Sequence, residues 1–200
     1  MTISRVLRIF LPFAFGFYVS YLFRSINAVI APDLIRDIGL GADSLGLLSS
    51  VYFISFAIFQ IPLGIILDRQ DPRKVEAFLL FFAALGAVIF ALSDTLTNLV
   101  IGRALIGLGV SACLMASFKS FVVWFPKERL ALANGTIMMT GGLGALTATA
   151  PIEFVLQFTD WRGIFLIFSV MVIFCSTIIY FIVPDSYSEH RRSDDTAFMD

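Results

Sequence analysis

Four ionisable side chains sit inside long apolar runs of this sequence: Arg24, Arg103, Lys119 and Glu153. A charge within such a run is costly and usually faces a protein interior or a water-filled cavity, so each is a candidate for chemistry. Arg24 is the deepest. It stands about 21 Å along a helix opening near residue 10, at a 1.5 Å rise per residue. That is too deep for its head group to reach an interface easily. Tyr21 and Asn27, at i−3 and i+3, share its helix face and make one polar stripe. A guanidinium in a partly desolvated cavity is a planar fork of donors suited to phosphate, carboxylate or nitrate oxygens. The competing reading is a structural ion pair, but no Asp or Glu falls at mid-depth in any of the apolar runs, so its partner must come from elsewhere. Arg103 and Glu153 lie near the outer ends of their runs, within snorkelling reach and placed so that they could pair with each other. Lys119 lies near an inner end, where it either snorkels to the interface or faces the cavity below Arg24. Nucleophilic or metal chemistry lacks its parts. The one histidine, His190, is in the C-terminal tail, leaving no nucleophile–base pair and no ligand set within the runs. The expectation is a non-enzyme with no cofactor and no metal.

The elements that position these side chains follow from composition. Of 200 residues, 58% are hydrophobic and 14% charged, and the mean hydropathy is +0.91. A soluble domain carries about 25% charged residues, so this surface must face lipid. Crossing a hydrocarbon core of ~30 Å takes about 20 apolar residues of helix. Six stretches qualify: 10–32, 46–67, 77–93, 98–121, 131–157 and 163–183. The first is not a signal peptide, because its apolar run is too long, Arg24 interrupts it and five more follow. Arg5, Arg8, Arg69, Arg73, Lys74, Lys127, Arg129, Arg191 and Arg192 fall on one side of the alternating spans, Arg36 and Arg162 on the other. The basic side faces the cytoplasm. Both termini are therefore expected inside, with a polar tail over 185–200. In the fifth span the pairs Gly141/Ala145 and Gly144/Ala148 permit close helix packing, and Pro151 is placed to kink the helix. Cys113 and Cys175 lie in apolar runs and read as small hydrophobes rather than a disulfide. A net charge of −1 with no basic patch gives no sign of nucleic-acid binding.

Between the second and third spans stands Gly64-Ile65-Ile66-Leu67-Asp68-Arg69-Gln70-Asp71-Pro72-Arg73-Lys74. It resembles the signature loop of the major facilitator superfamily, glycine–x–x–x–aspartate–arginine followed by a turn and arginine–lysine. Asp71-Pro72 replaces the glycine turn of many members and can serve the same end. The physical logic can be read directly. Gly64 lets a neighbouring helix come close, Asp68 ends helix two and can pair with a base or a helix N-terminus, and Arg69, Arg73 and Lys74 hold the loop at an anionic leaflet. Arg103-Ala104-Leu105-Ile106-Gly107-Leu108-Gly109 is similar to the family's helix-four pattern, and Asp160-Trp161-Arg162-Gly163 to a segment common between its fifth and sixth spans. Tyr21-Leu22-Phe23-Arg24 looks like the helix-one arginine segment of organic-anion and nitrate-type members. A weak internal echo, Asp68-Arg69 after span two and Asp160-Trp161-Arg162 after span five, fits inverted three-helix repeats.

The resemblance implies an all-α membrane protein: a six-helix bundle over 1–184 that forms one half of a major facilitator fold, built of two inverted three-helix repeats. It implies a symporter or antiporter moving a small anionic solute by alternating access. Tyr21, Arg24, Asn27 and Lys119 would contact substrate. Gly64, Asp68, Arg69, Arg73 and Lys74 would gate, and Arg103 with Glu153 would couple or simply pair. The expected site is a bacterial cytoplasmic (inner) membrane, and the expected partner a second six-helix half or a second copy. The alternative is a truncated or half-size member without transport activity alone, acting only with a second six-helix partner. A six-helix intramembrane protease is disfavoured by the missing histidine.

Overall fold

The computed structural model describes residues 3–185, with side chains from Val6 onward. Arg5 as a side chain, and the tail beyond Asp185 with Arg191 and Arg192, lie outside the described residues. All regular structure among the described residues is helical: α1 (Ile3–Ile38), α2 (Ala42–Arg69), α3 (Pro72–Ala91), α4 (Leu96–Gly109), α5 (Ala112–Trp124), α6 (Lys127–Thr147), α7 (Ala150–Val155) and α8 (Trp161–Ile182). Six stretches are long and apolar enough to cross a membrane, with α4 and α5 together forming the fourth and α6 and α7 the fifth.

Local chemistry sets the helix ends. Gly39 stops α1 with φ of 73°, its N–H bonded to the Ile35 carbonyl at 3.0 Å, a left-handed cap that glycine adopts without a Cβ penalty. Asp71 caps α3 by accepting from the Arg73 N–H at 3.0 Å, with Pro72 in the first position, where a missing N–H costs nothing. These two residues start α3 at 72 rather than at the expected 77, and so bring Glu76 inside the helix. Asp160 caps α8 in the same way, accepting from the Gly163 N–H at 2.8 Å.

Two spans are broken. Between α4 and α5 the Ser111 hydroxyl donates to the Leu108 carbonyl at 2.6 Å and its N–H reaches the same oxygen at 3.2 Å, tightening the turn. Beside this break, Gly107 and Gly109 press on α2 and α3. A Cβ on Gly107 would lie 2.3 Å from the Tyr52 carbonyl, and one on Gly109 2.3 Å from the Ala83 nitrogen. The fifth span breaks just before Pro151, which occupies the first turn of α7, the position a proline tolerates.

Helix α1 runs through the middle of the bundle against α5, α6 and α8, while α3 packs on α4 and α8, and α2 on α4. Phe13, Phe23, Ile26 and Ile30 of α1 are wholly buried. The antiparallel pair α3 and α8 is clamped at both ends by arginine. At the start of α3, Arg73 donates to the Val183 carbonyl (2.8 Å) and to Asp185 (2.8 Å) beyond the end of α8. At the start of α8, Arg162 donates to the Ser93 carbonyl (2.6 Å) and to Asp94 (2.7 Å) beyond the end of α3. Each arginine thus meets the carbonyl end of the other helix, where the dipole favours a cation. The internal echo is therefore better registered as Asp71-Pro72-Arg73 against Asp160-Trp161-Arg162.

Burial is uneven. In the spans of α3 and of α4–α5, 61% of the apolar window is buried, against 17% in α2 and 22% in α6–α7. Phe53, Ile54, Ile58, Ile61 and Ile65 of α2, and Leu132, Met139, Leu143 and Leu146 of α6, point outward.

Candidate functional site

Arg24 lies half-buried on α1. Its guanidinium carbon is 4.8 Å from the Tyr21 ring centre, 5.3 Å from Phe56 and 5.6 Å from Phe53. Three aromatic faces thus hold the cation without neutralising it. No described carboxylate forms an ion pair with it. Beside it lies Tyr52, 2% exposed and close enough for the two groups to interact. Neither Arg24 Nε nor the Tyr52 hydroxyl has a hydrogen bond of good geometry, and both are buried. Two polar groups are therefore left unsatisfied at one spot, where a buried unsatisfied group costs about 1–3 kcal/mol.

The polar stripe on α1 divides by role. Tyr21 packs its ring against Phe17 and against the glycine face of α6 and stacks on Arg24. Asn27 is occupied elsewhere: its Nδ2 donates to Ser49 Oγ at 3.0 Å and its Oδ1 accepts from Arg103. Arg103, 1% exposed, also donates to the Phe23 carbonyl at 3.0 Å and stacks on Phe90 and Phe165. It does not meet Glu153, which is exposed on α7. The expected Arg103–Glu153 pair is corrected on this point: the helix break at 148–149 separates Glu153 from the fifth span's main run, and Arg103 is satisfied by α1 instead.

The loop residues are also redistributed. Lys119 neither snorkels free nor faces Arg24, but forms an ion pair with Asp68 at 2.8 Å. Arg73 turns inward onto α8 rather than outward to a leaflet, with its side chain 17% exposed. Lys74 reaches the same Asp185 at 3.5 Å, and Arg69 is exposed. The close helix approach expected at Gly64 is absent within this chain: the residue is exposed and a Cβ there would meet nothing within 4 Å. The close approach occurs instead in α6. A Cβ on Gly144 would lie 2.3 Å from the Tyr18 carbonyl, and one on Gly141 2.6 Å from the Phe17 ring.

Two features escaped the sequence reading. The aromatic wall from α2, namely Tyr52, Phe53 and Phe56, was foreshadowed by its spacing of one helical turn. Glu76 was hidden by placing the third span one turn too late. It is wholly buried.

A family model described as Major Facilitator Superfamily matches residues 13–198. The chain is 23% identical over 176 residues to the "Probable sulfoacetate transporter SauU" of Cupriavidus necator, covering 88% of this chain and 41% of the relative. It is 26% identical over 160 residues to the "Probable L-galactonate transporter" of Escherichia coli K12, covering 80% and 35%. Among solved structures it superposes on a bacterial homologue of the human lysosomal transporter Spinster, in an inward-facing and occupied conformation. That match has a TM-score of 0.83 at 17% identity and covers 93% of this chain and 46% of that one. The chain thus spans less than half the length of these proteins.

Proposed function

Because the chain belongs to the major facilitator superfamily, we propose that it serves secondary active transport of a small anionic solute by alternating access, with Arg24 as the anion-binding group. The observation that carries this reading is the pair of unsatisfied buried polar atoms, Arg24 Nε and the Tyr52 hydroxyl, set among aromatic rings with no carboxylate to neutralise the cation. An oxyanion placed between them accepts from both and supplies the missing charge. The names of two relatives, which speak of sulfoacetate and galactonate, support organic acids as the class. Tyr21, Phe53 and Phe56 set their rings against the guanidinium and hold it for the anion. The Lys119–Asp68 ion pair joins α5 to the signature loop. Asn27 acts on the site through Arg103 rather than on the solute.

The basic end of the bundle, with the signature loop and both termini, faces the cytoplasm of a bacterial inner membrane. The exposed faces of α2 and α6 are covered by a second six-helix bundle, and solute binds between the two. Gly64, on the open face of α2, is where that bundle comes closest.

The test is uptake into liposomes of labelled sulfoacetate, galactonate and inorganic phosphate by the reconstituted protein. Arg24→Ala is expected to lower uptake roughly tenfold to hundredfold, the loss of one charge-assisted interaction of about 1.5–3 kcal/mol, with Arg24→Lys intermediate. Arg24→Ala transporting like the wild type overturns the assignment.

A further inference from the structure

A groove of about 650 Å³ runs between the start of α1 and the end of α8, and it shares no lining residue with the anion site. Its volume falls within the range of small-ligand sites. Leu7 and Leu11 of α1 face Ile178 and Ile182 of α8 across it. Phe15 and Phe174, edge to face with ring centres 6.5 Å apart, close its deep end. Arg8 stands at the opposite end and is the one charged residue of the lining. It is exposed, and no described carboxylate forms an ion pair with it. From Arg8 to Phe15 the groove extends about 10 Å along α1, at 1.5 Å per residue.

The same end carries a second polar feature. Pro12 lies inside α1 and has no N–H, so the Arg8 carbonyl, four residues earlier, lacks its helical donor. Both residues line the groove, which puts that acceptor on the groove side, where hydrocarbon offers no donor. The groove therefore presents an unpaired cation and a carbonyl in need of a donor at one end, followed by a purely apolar channel. We propose that it binds an anionic phospholipid of the phosphatidylglycerol type, from the leaflet at the basic end of the bundle. The phosphate accepts from the Arg8 guanidinium, a glycerol hydroxyl donates to the Arg8 carbonyl, and one acyl chain lies along the channel as far as the Phe15–Phe174 pair. An ethanolamine headgroup matches less well, because its ammonium would sit beside the guanidinium and repel it. A soluble anion would leave the apolar walls uncovered. The inference needs only that the chain spans a membrane, and it stands apart from the transport reading.

The test is native mass spectrometry of the full protein, released from micelles that contain phosphatidylglycerol or phosphatidylethanolamine of equal chain length. The wild type is expected to retain one phosphatidylglycerol in preference to phosphatidylethanolamine. Its affinity should fall about tenfold in Arg8→Ala, the loss of one charge-assisted contact. A similar fall is expected in Leu11→Trp, which fills the channel from an exposed position and leaves Arg8 in place. Arg129→Ala removes an exposed cation outside the groove and should bind as the wild type does. Pro12→Ala returns a donor to the Arg8 carbonyl and should narrow the preference between the two lipids. Unchanged affinity in either groove variant, or an equal loss in Arg129→Ala, overturns the site. Equal retention of the two lipids by the wild type overturns the choice of headgroup, and an unchanged preference in Pro12→Ala overturns the part given to the carbonyl. Glycerol phosphate, which has the headgroup without the chains, should not compete. Displacement of the lipid by glycerol phosphate at equal concentration would make Arg8 a site for soluble anions and overturn the proposal.

Discussion

Two arginines of this chain look alike in the sequence and behave oppositely in the fold. Arg24 keeps its charge open behind three aromatic rings, whereas Arg103 is bonded to Asn27 and the Phe23 carbonyl in the heart of the bundle. Their substitutions should separate accordingly. Arg103→Ala removes both bonds and leaves a cavity between α1, α3 and α8. Each stranded polar group costs about 1–3 kcal/mol, so a marked fall in detergent melting temperature is expected. Arg24→Ala is expected to leave the melting temperature near that of the wild type, because an unpaired cation contributes little to holding the fold. A melting experiment on the two variants side by side checks this, and equal losses would show that Arg24 is structural. The sequence picked out both residues by depth and charge, but it could not tell them apart. What distinguishes them is the side chain opposite, Asn27 for one and Tyr52 for the other, and that is settled by which helices meet rather than by spacing along one helix. Glu76 went unseen for a smaller reason, a single turn of error at a helix start that Asp71-Pro72 itself signals.

At the scale of the helices, the number of spans was legible because hydrophobic length is a property of each segment alone. Which glycines bring helices together was half legible. The fifth span's Gly141 and Gly144 were read as packing residues and do pack, against Phe17, Tyr18 and Tyr21. Gly86 and Gly102 join α3 to α4, each placing its missing Cβ within 3 Å of the other's carbonyl oxygen, and no small-residue pattern within one helix announced that, since the two glycines lie on different spans. Gly144→Ala should force α6 away from α1, because the new methyl would sit 2.3 Å from the Tyr18 carbonyl on a helix backbone that cannot yield. Gly142→Ala has open space around it and should be neutral to slightly stabilising, as alanine gains up to about 1 kcal/mol over glycine in a helix. The melting temperature should fall in Gly144→Ala and stay level or rise slightly in Gly142→Ala, and an undiminished melting temperature in Gly144→Ala would mean that α6 does not pack on α1 as described.

For the molecule as a whole, the uneven burial of the spans is the main physical fact. A six-helix bundle surrounded by lipid has no need to hide apolar side chains, so the outward residues of α2 and α6 are not a liability in themselves. The informative residue is Gly64, a glycine on the open face of α2 where nothing in this chain comes near. A glycine there carries a helix-propensity cost of about 0.8–1 kcal/mol relative to alanine, which a close approach by a neighbouring helix would offset. Gly64→Leu separates the two possibilities. If α2 faces only lipid, the substitution should raise helix stability slightly and leave uptake unchanged. If a second bundle closes against it, as we propose, this bundle alone should show the same slight rise, while liposome uptake falls at least about tenfold, since a bulky side chain at a close crossing can cost about 1–3 kcal/mol or more through overpacking. Gly64→Ala should lie between the two. Melting and transport measured on the same preparations would then report separately on the bundle and on the surface it offers, and full uptake by Gly64→Leu would show that the open face of α2 meets nothing but lipid.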